Sequence, residues 1–177
     1  MTPVLIAIAV SFSWVALVFE HLGNVRISER HHSHHDTYVV PVAFTRSIVL
    51  AMVFMGCFGL LMSWLCHVRA FVADSQVIMG FCDAFIVTSF ALWWAISRYR
   101  VSSFGDRMVI RPFVGPSVTV RYEEIDRMEW AGMRKGSGYR DLVVVVDGRR
   151  AARISGVVDV EQVLMRIDRF DVLPQVV

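Results

Sequence analysis

Apolar residues along this chain fall into three long runs and then break into short alternations. Thr2 to Phe19 carries no charge, Ser47 to Cys66 carries none in twenty positions, and Ser75 to Ser97 carries one, Asp83. A helix rises 1.5 Å per residue, so a hydrocarbon layer about 30 Å thick takes about 20 residues to cross. Inside such a layer every backbone N–H and C=O must bond within its own segment, which makes each run a helix. The expectation is three transmembrane helices at about 2–19, 47–66 and 75–97. The first run has no basic residue before Arg26 and no small-residue cleavage pattern, which favours a retained span over a cleaved signal peptide.

From Arg98 the period changes to two. Tyr99–Ser102, Met108–Phe113, Val118–Tyr122, Arg127–Ala131, Leu142–Val146 and Arg149–Ile154 read as about six strands. Leu142–Val146 is continuously apolar and suits a central strand. Asp147-Gly148 is a two-residue hairpin signal, and Val114-Gly115-Pro116-Ser117 reads as a turn. Asp159, with Gln162 three positions on, opens a helix whose Val160, Val163, Leu164 and Ile167 share one face. That face needs a sheet to cover. The fold class read here is a membrane α-helical domain, residues 1–97, followed by a C-terminal α+β or all-β domain, residues 98–177.

Composition supports the division. The 177 residues are 55% hydrophobic and 19% charged, with a mean hydropathy of +0.52. That average describes neither half. Residues 1–97 hold four basic and five acidic groups, leaving fourteen and eleven for residues 98–177. The net charge of +2 leaves no nucleic-acid footprint. Basic residues orient spans toward the cytoplasm. Arg26, Arg30 and Arg46 flank the first loop, Arg69 stands alone in the second, and Arg98, Arg100, Arg107 and Arg111 follow the third span. The expectation is a multi-pass cell-membrane protein with its N-terminus outside and its C-terminal domain cytoplasmic. Trp14, Trp64, Trp93 and Trp94 fall near the span ends, as an interfacial belt requires.

Several groups are candidates for chemistry. His31, His32, His34 and His35 cluster in the first loop, and imidazole ligates transition metals. A structural site needs four ligands in fixed geometry, whereas adjacent residues on one loop suit solvation. Asp83 is an ionisable group inside a span and a candidate intramembrane polar contact. Gly80, Ala84, Thr88, Ala91 and Ala95 form a stripe of small residues on the same helix. Ala9, Ser13 and Ala16 form a weaker one on the first, and both suit close helix approach. Cys66 and Cys82 lie toward one side, where a bridge is conceivable beside simple packing. Trp130, Arg134, Lys135 and Arg140 surround a Gly-rich loop that offers an interaction surface and contact with anionic lipid. No nucleophile–base pair and no cofactor motif is visible, so the expectation is a non-enzyme without cofactor.

Four features together resemble bacterial membrane proteins carrying a pleckstrin-homology-like domain. They are the Tyr99-Arg100-Val101 strand directly after a span, Tyr122-Glu123-Glu124-Ile125 after the third strand, Asp147-Gly148-Arg149-Arg150, and Ile154-Ser155-Gly156 before the Asp159 helix start. The resemblance covers roughly residues 98–170. It implies a bent, barrel-like sheet capped at one corner by the C-terminal helix, and it implies no catalysis. Some eukaryotic relatives bind phosphoinositides through a basic loop between the first strands. Phe104-Gly105-Asp106-Arg107, at that place here, is short and carries an acid. Three functions remain open: a membrane-anchored module that binds a protein partner or its own copy, an accessory subunit of a transporter or channel using Asp83, and a metal-responsive regulator using the loop histidines.

Overall fold

A computed structural model describes residues 2–28, 36–131 and 140–168. The chain forms two compact units, one from residues 1–31 and 42–96, the other from residues 32–41 and 97–177. The split at Ser97 follows the change in period. The assignment of residues 32–41 to the second unit departs from the reading of residues 1–97 as one domain.

The first unit is three helices: α1 (Thr2–Ser28), α2 (Val42–His67) and α3 (Ser75–Arg98). Each is long and apolar enough to cross a membrane. α1 and α2 run several residues beyond the uncharged runs, because Glu20, His21 and Arg46 continue a helix as readily as they end an apolar stretch. Asp74 caps α3, its carboxylate accepting from Gln76 N at 2.8 Å. Two apolar clusters join the helices. Ala16, Val49, Met52 and Trp93 form one, and Ala9, Met79 and Ile86 form the other. Phe12 meets Phe90 edge-on at 4.9 Å.

Glycine makes the closest approach. A Cβ on Gly59 would stand 3.0 Å from Cys82 Cβ, and one on Gly56 would stand 3.5 Å from Ser13 Oγ. Large apolar side chains, among them Trp14, Phe54 and Phe81, point outward from the helices. A water-facing surface disfavours so many.

Among its described residues the second unit holds seven strands in two antiparallel sheets and a helix. The first sheet has the order β1 (Asp36–Val39), β2 (Arg100–Ser103), β3 (Arg107–Arg111), β4 (Val118–Arg121). The second has the order β5 (Ile125–Ala131), β6 (Asp141–Val146), β7 (Arg149–Ile154). A short 3-10 turn, Tyr122–Glu124, leads from β4 to β5. Six of these strands match the alternating runs to within one or two residues. The seventh, β1, comes from the loop between the first two helices.

Alternation sets the inner face of the first sheet. Val101, Met108, Ile110 and Val120 are buried, as are Met128, Leu142, Val144 and Ile154 of the second. Leu142 to Val145 are buried without a break, as a central strand flanked on both edges requires. Asp147 and Gly148 both take positive φ, 51° and 69°, the geometry of a type I′ hairpin turn. Asp159 Oδ1 accepts from Gln162 N at 3.1 Å and caps α4 (Val160–Ile167), which ends on Asp168 in the left-handed conformation. The apolar face of α4, Val160, Val163, Leu164 and Ile167, is buried.

Candidate functional site

The sheet that contains β1 has an outer face with an unusual register. Its inner positions hold Val101, Ser103, Met108 and Ile110, so the alternate positions of β2 and β3 face away from the core. Those positions hold Arg100, Ser102, Arg107, Val109 and Arg111. Pairing sets Arg100 directly opposite Arg111 and Arg107 directly opposite Arg121. Like charges directly opposite one another destabilise a sheet. Thr37 and Val39 of β1 and Thr119 of β4 complete this face through the same register, and none of its strand positions carries a carboxylate. Asp106 stands 4.0 Å from Arg107 in the turn before β3, with both side chains exposed. A pair of that kind contributes little.

A cleft of about 390 Å³ opens on this face. Arg98, Arg100 and Arg111 supply its guanidinium groups, Ser102 and Ser117 its hydroxyls, and Gly115 and Pro116 one rim. No carboxylate lines it among the described residues. Gly115 has φ +106°, which only glycine adopts without strain, so the β3–β4 turn depends on it. Val114, at the tip of that turn, is 81% exposed. Three donor-rich guanidiniums beside two hydroxyls are chemically suited to an anion, since arginine pairs with phosphate and carboxylate through parallel N–H bonds.

β1 is fastened to the rest of its unit by side chains. Thr37 Oγ1 lies 3.3 Å from Ser102 Oγ, Tyr38 donates to Gln162 O at 3.4 Å, and Asp36 pairs with Arg166 at 3.0 Å. Two of those three contacts reach α4. Deeper in the unit, Ser103 and Tyr122 hydroxyls are 2.7 Å apart, and Tyr99 accepts from Ser155 N at 2.7 Å. Burial raises the pKa of all three tyrosines, Tyr38, Tyr99 and Tyr122, above the ordinary value. The Asp36 carboxylate adds to the shift at Tyr38.

In the helical unit Asp83 is 5% exposed, and neither carboxyl oxygen has a hydrogen-bond partner among the described residues. Ser13 Oγ is buried and unpaired in the same sense. Glu20 is the polar junction instead. Its carboxylate accepts from Thr45 Oγ1 at 3.2 Å and Trp93 Nε1 at 3.5 Å, with Arg46 Nε at 3.9 Å, so it ties α1 to both other helices.

The two small-residue stripes separate. Ala9 and Ala16 of α1 are buried between helices. On α3 the inward residues are Met79, Cys82, Asp83, Ile86 and Trp93. Ala84, Thr88 and Ala91 are exposed, and a Cβ on Gly80 would meet nothing within 4 Å. The three cysteines are free, so Cys66 and Cys82 form no bridge.

The remaining sequence candidates are scattered. His31, His32, His34 and His35 lie outside the described residues, as do Arg134 and Lys135. Among the described residues no group of three or more His, Cys, Asp or Glu side chains is arranged to hold a metal. Trp130 is half-buried at the end of β5, and Arg140 is exposed. A Cβ on Gly156 would stand 2.7 Å from the Arg140 backbone, which makes that contact a tight structural corner.

Sequence reasoning passed over the arginine cleft. In the sequence Arg98, Arg100 and Arg111 are markers of membrane orientation, and Arg100 and Arg111 are strand positions. Their outward placement was available from the alternation, but their convergence follows from strand register.

Scans against protein-family models, curated proteins and solved structures find no match to this chain.

Proposed function

We propose that this chain is a non-enzymatic integral membrane protein of the bacterial cell membrane. Its three helices span the bilayer, and its second unit is a cytoplasmic pleckstrin-homology-like module. The protein serves assembly, joining a partner chain or a second copy of itself within a membrane complex. Two antiparallel sheets of four and three strands with a C-terminal helix accord with that fold. Pairing of β1 with β2 accords with three spans, because the first loop and the segment after α3 are separated by two spans and so lie on one side.

The observation that carries the assembly reading is the outward stripe of α3. Gly80, Ala84, Thr88 and Ala91 leave a shallow, apolar helix face that the other two helices do not cover. In lipid, where no hydrophobic force drives helices together, small residues allow the close backbone approach on which association rests. Purification from the native membrane in mild detergent is expected to yield a stoichiometric companion chain or a dimer. Gly80→Leu with Ala84→Leu is expected to release it while the unfolding midpoint stays unchanged. A wild-type chain that purifies as a lone monomer overturns the proposal.

The accessory-subunit reading retains one specific support, the carboxyl of Asp83, buried and without a hydrogen-bond partner among the described residues. Its test is flux through the assembled complex with Asp83→Asn. Unchanged flux removes it.

A further inference from the structure

We propose that the cleft on the outer face of the β1–β4 sheet binds the phosphate of an anionic phospholipid headgroup, with Arg98, Arg100 and Arg111 as its ligands and the Val114 turn dipping into the bilayer surface beside it. This rests on the reading above that the helices span a membrane.

Register is the first support. Arg100 faces Arg111, and Arg107 faces Arg121, on one sheet face without a strand-borne carboxylate. Two like-charge pairs in direct opposition are unfavourable in the isolated sheet, and a shared anion between them reverses the sign. The second support is shape. The arginines do not simply radiate into solvent, since the Nε atoms of Arg98 and Arg100 are buried and their side chains wall a cleft of about 390 Å³. Ser102 and Ser117 add hydroxyl donors to the same wall. This matches a tetrahedral oxyanion, which accepts from several directions at once.

The third support selects a lipid over an acidic protein segment. The rim of the cleft continues into the β3–β4 turn, whose tip residue Val114 is 81% exposed. An isolated apolar tip beside a cationic cleft suits an interface in which hydrocarbon lies just beneath phosphate. An acidic peptide gives the tip nothing to enter. The fourth support is covalent. Arg98 is the last residue of α3 and Arg100 the first of β2, so two of the three ligands lie within two residues of the end of a membrane-length helix. Headgroups are therefore presented to the cleft at high effective concentration. The mode differs from a phosphoinositide-binding loop, because the short Phe104–Arg107 turn contributes no residue to the cleft.

The test is amide hydrogen exchange on the full chain in lipid nanodiscs. One preparation is pure phosphatidylcholine and the other contains about one-third phosphatidylglycerol. Exchange across residues 112–118 is expected to slow by roughly fivefold or more in the anionic discs, about what one basic group gains at an anionic surface. Exchange across β6 (Asp141–Val146) serves as the fold control. The protection is expected to vanish in Arg100→Gln/Arg111→Gln and, for the wild type, in about 0.5 M salt. If the double variant unfolds, β6 reports it, and the salt arm decides alone. Equal exchange in the two lipids overturns the proposal, as does protection that survives both salt and substitution. Inorganic phosphate, or an oligoglutamate peptide, that protects neutral discs equally well overturns the lipid as ligand in favour of a free anion or an acidic partner. Loss of the chain from the membrane pellet in alkaline carbonate is a separate result and fails the underlying membrane reading instead.

Discussion

Single polar residues in this protein matter in proportion to what surrounds them. Glu20 sits at the end of an uncharged run, where it reads as a boundary marker. Its carboxylate in fact accepts from a hydroxyl on α2 and an indole N–H on α3, joining α1 to both other helices. Glu20→Ala is expected to lower unfolding stability in detergent by about 1–3 kcal/mol, the usual cost of leaving buried donors without their acceptor. A double-mutant cycle with Thr45→Ala is expected to be non-additive.

Tyr38, Tyr99 and Tyr122 make a second prediction, on pH. Their folded-state pKa values are raised by burial, so the folded unit holds their protons more tightly than the unfolded chain does. Stability is thus complete below about pH 10, the unfolded tyrosine value, and falls as pH rises from there toward the folded values. Thermal melts from neutral to strongly alkaline pH are expected to show that decline, and Tyr99→Phe is expected to reduce its slope. A melting midpoint that stays flat above pH 10 contradicts the assignment.

Elements divide into those whose character is local and those completed by a distant partner. The three long helices, the Asp147-Gly148 hairpin and the Asp159 cap belong to the first class, because hydrophobic run length, turn chemistry and capping act within a few residues. β1 belongs to the second. Asp36-Thr37-Tyr38-Val39 is four residues long and sits between two long apolar helices. Its only sequence signal is a β-branched and aromatic run before Pro41, which a loop tolerates equally well. It becomes a strand because β2 offers an unpaired edge and α4 offers Gln162 and Arg166 as partners for Tyr38 and Asp36.

Replacing Asp36–Val39 with a Gly/Ser segment is therefore expected to speed exchange of the β2 amides that pair with β1 and to loosen α4, while β6 stays protected. Exchange mass spectrometry distinguishes that outcome from global unfolding. The α3 stripe makes the same point from the other side. Its spacing announced a packing face, but only the positions of α1 and α2 reveal that the face is left over rather than used.

Across the whole molecule, two units share one chain in an interleaved order, and this constrains topology. Under the proposed membrane reading, a strand drawn from the first loop can pair with one after the third helix only if both lie on one side. Cysteine-reactive probes added from outside are expected to label a reporter at Arg69, placed in a background without native cysteines, and not one at Ser33. The reverse pattern overturns the orientation, and labelling at both positions contradicts the three-span arrangement itself.

Sequence alone determined the three apolar helices, six of the strands, the terminal helix and the change of character at residue 97, because each rests on short-range periodicity or run length. Tertiary structure decided the seventh strand, the Glu20 junction, the unpaired burial of Asp83 and the meeting of Arg98, Arg100 and Arg111. Those depend on which residues lie opposite one another across strands and helices, and register is set by the packing of the whole unit, not by any window of the chain.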